Sequence, residues 1–193
     1  MDVKNTILGR KLAGLVARPA LAEVYRDKVA GEPLVGLISH YSQHVVLMTR
    51  VDEQYQYDGV AAVRPGDITR LKTGGRELAA GAFLVEQEEL PALPTIPDVA
   101  LLEISAATTI FQKLFGHVCL YTERVSRSVC FIGEAGDLDD DFVELKQFGT
   151  MKGLDRSEVL LRVDELTRVE AGGRYPRQLL AAHRRFSFPR AVE

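Results

Sequence analysis

Hydrophobic and polar residues follow two different periods along this chain, and both periods occur in each half. Residues 5–17 carry apolar side chains at helical spacing, which predicts an α-helix capped by Asn5 or Thr6. Short runs rich in valine, isoleucine and leucine follow, and they predict strands at residues 34–39, 45–51, 60–63 and 68–72. Residues 77–89 complete the first half with a second predicted helix.

The second half predicts the same series of elements. A helix capped by Thr95 or Asp98 runs to about residue 115 and turns Leu101 and Leu102 inward. Strands are then predicted at residues 117–124, 129–133, 142–146, 159–163 and 166–170, with an acidic loop at 134–141 and a last helix starting near Pro176. Residues 21–29 fit either a helix or a strand by their own pattern, and the second half favours a strand.

An internal repeat connects the two halves. The segment DITRLKTGGR at residues 67–76 recurs as DELTRVEAGGR at residues 164–174, with an offset of 98 residues (166 − 68 and 174 − 76). Repetition at half the chain length indicates two copies of one folding unit. A proline-rich segment separates them and forbids regular helix or central strand. We therefore predict a first unit at residues 1–89, a linker at 90–97, and a second unit with a C-terminal helix at 98–193.

Each predicted unit is a helix followed by about five short strands. Five such strands are too few for a stable flat sheet, and we expect them to curl into a small, partly open barrel. The predicted fold is mainly β, with two small barrels in tandem, each preceded by an α-helix.

One turn of the first unit resembles a known family. Arg64-Pro65-Gly66-Asp67-Ile68 is similar to the Arg-Gly turn, followed by Asp and an apolar residue, of the Sm-like proteins, a subset of the SH3-like barrels. A proline separates Arg from Gly here, the second unit lacks the glycine, and Asp52 is not followed by the family's base-recognising Asn. The resemblance implies the barrel fold without base recognition. The spacing from Asp58-Gly59 to Asp67-Ile68 also resembles a bacterial family of tandem barrels to which no activity is assigned.

Composition limits the classes of partner. The net charge of −3 gives no overall cationic field for nucleic acid or an anionic membrane. No apolar run approaches the roughly 20 residues that span a bilayer. Arg10 and Lys11 interrupt the N-terminal segment where a signal peptide would be apolar, which favours a cytoplasmic location. Cys119 and Cys130 are too few for a disulfide scaffold and are predicted to be buried thiols.

Catalytic and metal-binding motifs are missing from the sequence. There is no P-loop, nucleophile elbow, HExxH or paired CxxC. His40 and His44 are interpreted as exposed loop residues rather than metal ligands, because no further ligands accompany them. The acidic residues of the loop at 134–141 lack the spacing of a calcium site and are interpreted as solvated. No cofactor or metal is predicted.

Arginines at equivalent positions in the two units are the candidate binding residues. They are predicted to form two similar patches for an anion or an acidic partner, and they are Arg64, Arg70, Arg76, Arg168 and Arg174. The competing interpretation, which the neighbouring acids favour, pairs Arg70 with Asp67, and Arg168 with Glu165 or Glu170.

Three functions are compatible with these patterns. The first is a non-enzymatic binding or scaffold protein that binds a protein partner or itself through strand edges. The second is binding of RNA or single-stranded nucleic acid through the arginines and tyrosines such as Tyr41, Tyr55 and Tyr57. The third and weakest is an enzyme with a cleft between the units, because no acid–base pair is evident.

Overall fold

The computed structural model describes residues 3–87, 94–150 and 157–186 of the chain. The first unit contains α1 (Ile7–Ala17), β1 (Leu21–Tyr25), β2 (Leu34–Tyr41), β3 (Val46–Val51), β4 (Tyr57–Val63), β5 (Arg70–Lys72) and α2 (Arg76–Gln87). The second contains α3 (Ile104–Phe115), β6 (Val118–Tyr121), β7 (Cys130–Leu138), β8 (Phe142–Gln147), β9 (Glu158–Arg162), β10 (Arg168–Ala171) and α4 (Arg174–Phe186).

All the strands of the described residues belong to one antiparallel sheet. Its strand order is β5-β1-β2-β3-β4-β10-β6-β7-β8-β9. Each half of this sheet has the order fifth, first, second, third and fourth strand of its unit, and the halves meet where β4 pairs with β10. The strands at the two ends of the sheet are β5 and β9.

This single open sheet differs from the predicted pair of separate barrels. The fold is mixed α and β, with four α-helices in the described residues packed on the ten strands. The physical reason is the pairing of β4 with β10, which gives each of these strands a second hydrogen-bonded neighbour outside its own unit. A strand bonded across the unit boundary has no need to find a partner within its own unit.

Several predicted boundaries also change. Thr6 caps α1 by accepting a hydrogen bond from the backbone N–H of Gly9. Residues 98–101 form a short 3₁₀ turn, so α3 begins only at Ile104, and Leu102 is exposed rather than inward-facing. Strand β7 extends to Leu138 through most of the predicted acidic loop, because its ladder with β8 continues past residue 133. Half of the predicted linker, residues 90–93, lies outside the described residues.

The core does not divide at the unit boundary. One apolar cluster packs α1 against the first unit, around Leu12 and Ile38. A larger cluster packs α3 against the second unit but also takes in Leu47 and Ala62 from β3 and β4. Because the strands near the junction bury side chains on both faces, the larger core includes residues of both units.

Candidate functional site

The junction between β4 and β10 is the most enclosed contact between the units. Arg168 lies opposite Val63 and Ala171 opposite Val60 in its register. Gly59 begins the contact with a φ of +91°, and a Cβ there would lie 2.3 Å from the carbonyl oxygen of Ala171. Only glycine fits this conformation and this close approach of two backbones.

A buried carboxylate stands at the end of this junction. Glu123, in the turn after β6, is 2% exposed and pairs with Arg26, in the turn after β1, which is 1% exposed. The Arg26 Nη2 donates to Glu123 Oε1 at 2.9 Å, and Arg26 Nη1 donates to the other oxygen. The Thr167 hydroxyl donates at 2.7 Å, and Arg168 Nη2 lies 3.0 Å from Oε1. Two cations and a hydroxyl therefore surround one carboxylate.

The ionisation of Glu123 follows from these contacts. Burial raises the pKa of the Glu123 carboxyl, but the hydrogen bond from Arg26 and the charges of Arg168 and Arg26 together outweigh burial and lower it. Glu123 is therefore ionised at neutral pH, with Arg26 and Arg168 balancing its charge. Such pairs are costly to break from one side.

Two further contacts cross the junction. The Arg64 guanidinium donates to the backbone carbonyls of Leu166 and Val163, both at 2.9 Å. The Arg124 Nη2 donates to Asp67 Oδ1 at 2.5 Å. Arg64 thus holds the loop between β9 and β10 in place rather than facing solvent.

The outer strand β5 repeats the arrangement that β10 makes at the junction. Arg70 lies opposite Tyr25 in the β1–β5 register, with its guanidinium 3.8 Å from the ring centroid. It donates to Asp27 at 2.8 and 2.9 Å, the Thr69 N–H donates to the carbonyl of Tyr25 at 2.9 Å, and the Thr69 hydroxyl donates to Asp27.

The junction contains the same set of groups. Arg168 lies opposite Tyr121, 3.6 Å from its ring centroid, and pairs with Glu123. The Thr167 N–H donates to the carbonyl of Tyr121 at 2.9 Å, as the Thr69 N–H does to that of Tyr25. The two copies differ in exposure, because the Arg168 side chain is 13% exposed and that of Arg70 is 61% exposed. The set of groups around Arg168 is therefore covered by a neighbouring unit, whereas the equivalent set around Arg70 is exposed to solvent.

The predicted arginines fall at different places. Arg64 and Arg168 lie at the junction, and Arg70 lies at the outer edge. Arg174 contacts Gln56 and Asp52 beside the start of α4, and Arg76 is exposed at the start of α2. These arginines are not gathered into one patch.

The predicted ion pairs of the arginines were wrong in detail. Arg70 pairs with Asp27 rather than Asp67. Arg168 pairs with Glu170, as predicted, but also with Glu123, which was missed, and not with Glu165. Pairing across strands places acids next to these arginines that are about 45 residues away in the sequence. A prediction from the nearest acids in the sequence does not identify them.

A cavity of about 330 Å³ opens beside the junction. Arg50 pairs with Glu170 at 2.7 Å inside it, and the Tyr121 hydroxyl donates to the same carboxylate at 3.0 Å. The two free cysteines, Cys119 and Cys130, also line it. Sequence reasoning missed this cavity because six elements contribute to it, and the only signal was Cys119 and Tyr121 on one face of a predicted strand.

The two thiols differ in character. Cys119 is buried as predicted, whereas Cys130 is partly exposed. A hydrogen bond between the thiols lowers the pKa of Cys130 and raises that of Cys119. Cys130 is therefore the more reactive thiol.

The histidines supply no metal site in the described part of the chain. His40 and His44 are exposed, as predicted, but His40 lies in β2 rather than in a loop. His117 is buried, accepts a hydrogen bond from the Gly172 N–H at Nε2 and lies 3.1 Å from the Phe115 carbonyl at Nδ1. Residues 3–87, 94–150 and 157–186 hold no group of three or more His, Cys, Asp or Glu side chains placed to bind a metal. Nor does any helix in these ranges have the length and apolarity to cross a membrane.

Comparison with protein-family models, with curated proteins and with solved structures finds no match to this chain.

Proposed function

We propose that this protein is a non-enzymatic, cytoplasmic binding or scaffold module, built from two Sm-like units and acting through the two end strands of its sheet. The observation that supports this proposal is that β5 and β9 each have one neighbour in the sheet, while β4 and β10 complete each other. A strand with one neighbour presents unpaired N–H and C=O groups, which accept an extended segment by strand addition.

The side chains of the two end strands differ. Natural sheets often defend an edge with a very short strand, charged side chains, proline or a bulge. Strand β9 carries Leu160, which is 66% exposed, beside Val159, which is half-buried, and so favours binding. Strand β5 has three residues and carries the half-buried Leu71 between two cations, Arg70 and Lys72, so it is the better protected edge. An apolar side chain on each end strand gives an added strand something to pack against.

The charges of the first unit disfavour nucleic acid as the partner. A groove of about 930 Å³ runs beside β1 and α2. Its lining includes six acidic and two basic residues, namely Glu23, Glu32, Asp52, Glu53, Asp58 and Glu77 against Arg50 and Lys72. Four of the five candidate arginines already bond to protein groups. A phosphate backbone would have to displace these acids.

A strand-addition assay tests the proposal. A fluorescent peptide with the sequence of residues 57–64, which in the protein covers β10, should bind the intact chain through β5 and raise the fluorescence anisotropy. The same peptide N-methylated at alternate residues should not bind, because it has lost the N–H donors that form a ladder. A salt titration with single-stranded RNA serves as the competing arm. Equal binding of both peptides, or no peptide binding together with salt-sensitive RNA binding, would overturn the proposal.

A further inference from the structure

The two cysteines of the chain lie side by side on one face of the sheet. Cys119 is in β6 opposite Ile132, and Cys130 begins β7 opposite Tyr121. Alternate residues of a strand, and directly opposite residues of an antiparallel pair, share a face, so the two cysteines are diagonal neighbours. A hydrogen bond joins their side chains. We propose that they form a redox site at which a peroxide converts the two thiols into a disulfide. This inference is independent of the proposed function, because it requires no partner protein.

The difference in exposure gives each thiol its own role. Both cysteines line the cavity of about 330 Å³ beside the junction, but Cys130 is partly exposed whereas Cys119 is buried. A water molecule occupies about 30 Å³, so a hydrogen peroxide molecule, roughly two waters in size, fits the cavity. Cys130 is therefore the thiol that reacts with the peroxide, and Cys119 is the thiol that attacks the product.

The surroundings of Cys130 favour its thiolate form, which is the form that attacks a peroxide. The hydrogen bond from Cys119 is the largest influence and lowers the pKa of the Cys130 thiol. The Tyr121 hydroxyl and the charge of Arg168 lower this pKa further, while burial and the charge of Glu170 oppose them. The same contact raises the pKa of the Cys119 thiol, so Cys119 keeps its proton until the second step.

The reaction requires only the peroxide as oxidant. In the first step the Cys130 thiolate attacks one peroxide oxygen, the O–O bond breaks, and hydroxide leaves and takes up a proton, which gives a sulfenic acid and water. In the second step the Cys119 sulfur attacks the Cys130 sulfur. The S–S bond forms, the S–O bond breaks, and hydroxide leaves with the Cys119 proton as a second water. Two thiols lose two electrons and two protons, and one hydrogen peroxide becomes two waters.

Contact with Cys119 decides what becomes of the sulfenic acid. A sulfenic acid either condenses with a thiol or is oxidised further to a sulfinic acid, which is irreversible in most proteins. Because the Cys119 thiol already touches Cys130, condensation needs no diffusion of a second thiol into the cavity. Oxidation of the pair should therefore stop at the disulfide.

Formation of the bridge moves the start of β7. Diagonal neighbours lie about 7–8 Å apart between Cα atoms, just beyond the usual range for a disulfide. Cys130 is the first residue of β7, and the residues before it, 127–129, are exposed. Cys119 instead lies within β6, which is paired with β10 on one side and β7 on the other. The start of β7 can therefore approach Cys119 while the junction stays in place.

Oxidation of the intact, reduced chain with hydrogen peroxide tests the pair directly, since Cys119 and Cys130 are the two cysteines of the sequence. The thiols that remain are blocked with N-ethylmaleimide in denaturant, and the chain is measured by mass spectrometry. The mass should fall by two hydrogens, and the count of free thiols should fall from two to none. Trypsin should release residues 114–124 joined to residues 128–146, and dithiothreitol should restore both thiols.

Variants separate the roles of the two thiols and of the neighbouring hydroxyl. Cys119→Ala should accumulate a sulfenic acid at Cys130, which dimedone labels, and Cys130→Ala should leave the buried Cys119 reduced. Tyr121→Phe keeps the ring beside Arg168 but should slow disulfide formation about fivefold, the effect of one typical hydrogen bond. Tyr175→Phe, at another tyrosine of the cavity wall, is the matched control and should leave the rate unchanged.

Three results in the unaltered chain would overturn the inference. They are two free thiols after excess peroxide, a sulfinic acid at Cys130 with Cys119 still reduced, and disulfides that join separate chains. Because all three are measured without a substitution, they do not depend on whether a variant folds.

Discussion

Replacement of Glu123 with alanine removes the carboxylate that two guanidinium groups share at the junction. Arg26 then has no acidic partner, although its side chain is fully buried. Arg168 keeps Glu170 at 2.9 Å and the ring of Tyr121. One uncompensated buried cation remains, and this is the most costly way to break a buried pair.

The size of the loss in unfolding free energy follows from the contacts that the remaining partner of the pair keeps. Breaking a buried pair from one side costs about 3 to 5 kcal/mol. Arg26→Ala should lie at about 3 kcal/mol, because Glu123 retains Arg168 and Thr167 as donors. Glu123→Ala should lie at about 5 kcal/mol, because Arg26 retains nothing. Replacement of both Arg26 and Glu123, with methionine and leucine, should be close to neutral, since apolar residues of similar volume dispense with the desolvation cost.

Urea unfolding followed by circular dichroism measures these differences, with ΔG obtained by linear extrapolation. The matched control is Arg70→Ala, because Arg70 makes the same contacts to a tyrosine and an acid at the exposed edge. That variant should lose little stability and unfold within error of the parent in high salt, whereas the Glu123→Ala loss should persist in salt.

Equal losses of stability in Glu123→Ala, at the junction, and in Arg70→Ala, at the outer edge, would refute the reasoning. If Glu123→Ala unfolds at the same urea concentration as Arg70→Ala, the junction does not exclude water. A larger loss for Arg26→Ala than for Glu123→Ala would likewise show that the carboxylate does not depend on Arg26 as described.

Three further predictions concern single positions. Burial lowers the pKa of His117 below its ordinary value of 6.5, so the unfolded chain binds a proton at a higher pH than the folded chain does. The contribution of His117 to stability should be fully present above about pH 6.5 and fall as the pH drops below it. Urea unfolding of His117→Gln should show a flatter dependence of stability on pH. Gly59→Ala should lower the melting temperature, because its φ is positive and its Cβ meets a backbone, whereas Gly66→Ala, with open space around its Cβ, should not. A maleimide should label Cys130 faster than Cys119, as mass spectrometry of the native protein would show; equal rates would contradict the assignment.

Local sequence patterns predicted most of the elements well. Strand β8 was predicted at residues 142–146 and lies at Phe142–Gln147, since Val143 and Leu145 alternate with polar neighbours and both face the core. Helix α1 was predicted with Thr6 as a possible cap, and its hydroxyl does accept the expected bond. Such features depend on contacts between residues that are a few positions apart, so the local sequence pattern predicts them directly.

The candidate site was less accessible to sequence reasoning. Arg26 and Glu123 are 97 residues apart, and nothing near either predicts a buried ion pair. The repeat shows that Arg70 and Arg168 are equivalent. This equivalence does not indicate which of the two arginines is covered by a neighbouring strand. That information lies in the pairing of β4 with β10, which a search for local periodicity does not contain.

The difference between the two copies has one physical origin. Both units place a threonine, an arginine, a tyrosine and an acid at the same points of the fifth and first strands. At the junction, β4 excludes water from this set, and the sequence supplies Arg26 as a second cation for the acid. At the outer edge no strand excludes water, and Asp27 needs only Arg70. Any strand that adds to β5 must desolvate the Arg70–Asp27 pair, a cost that the junction meets with Arg26 and the outer edge does not. Association through β5 should therefore be weaker than the internal junction and more sensitive to salt.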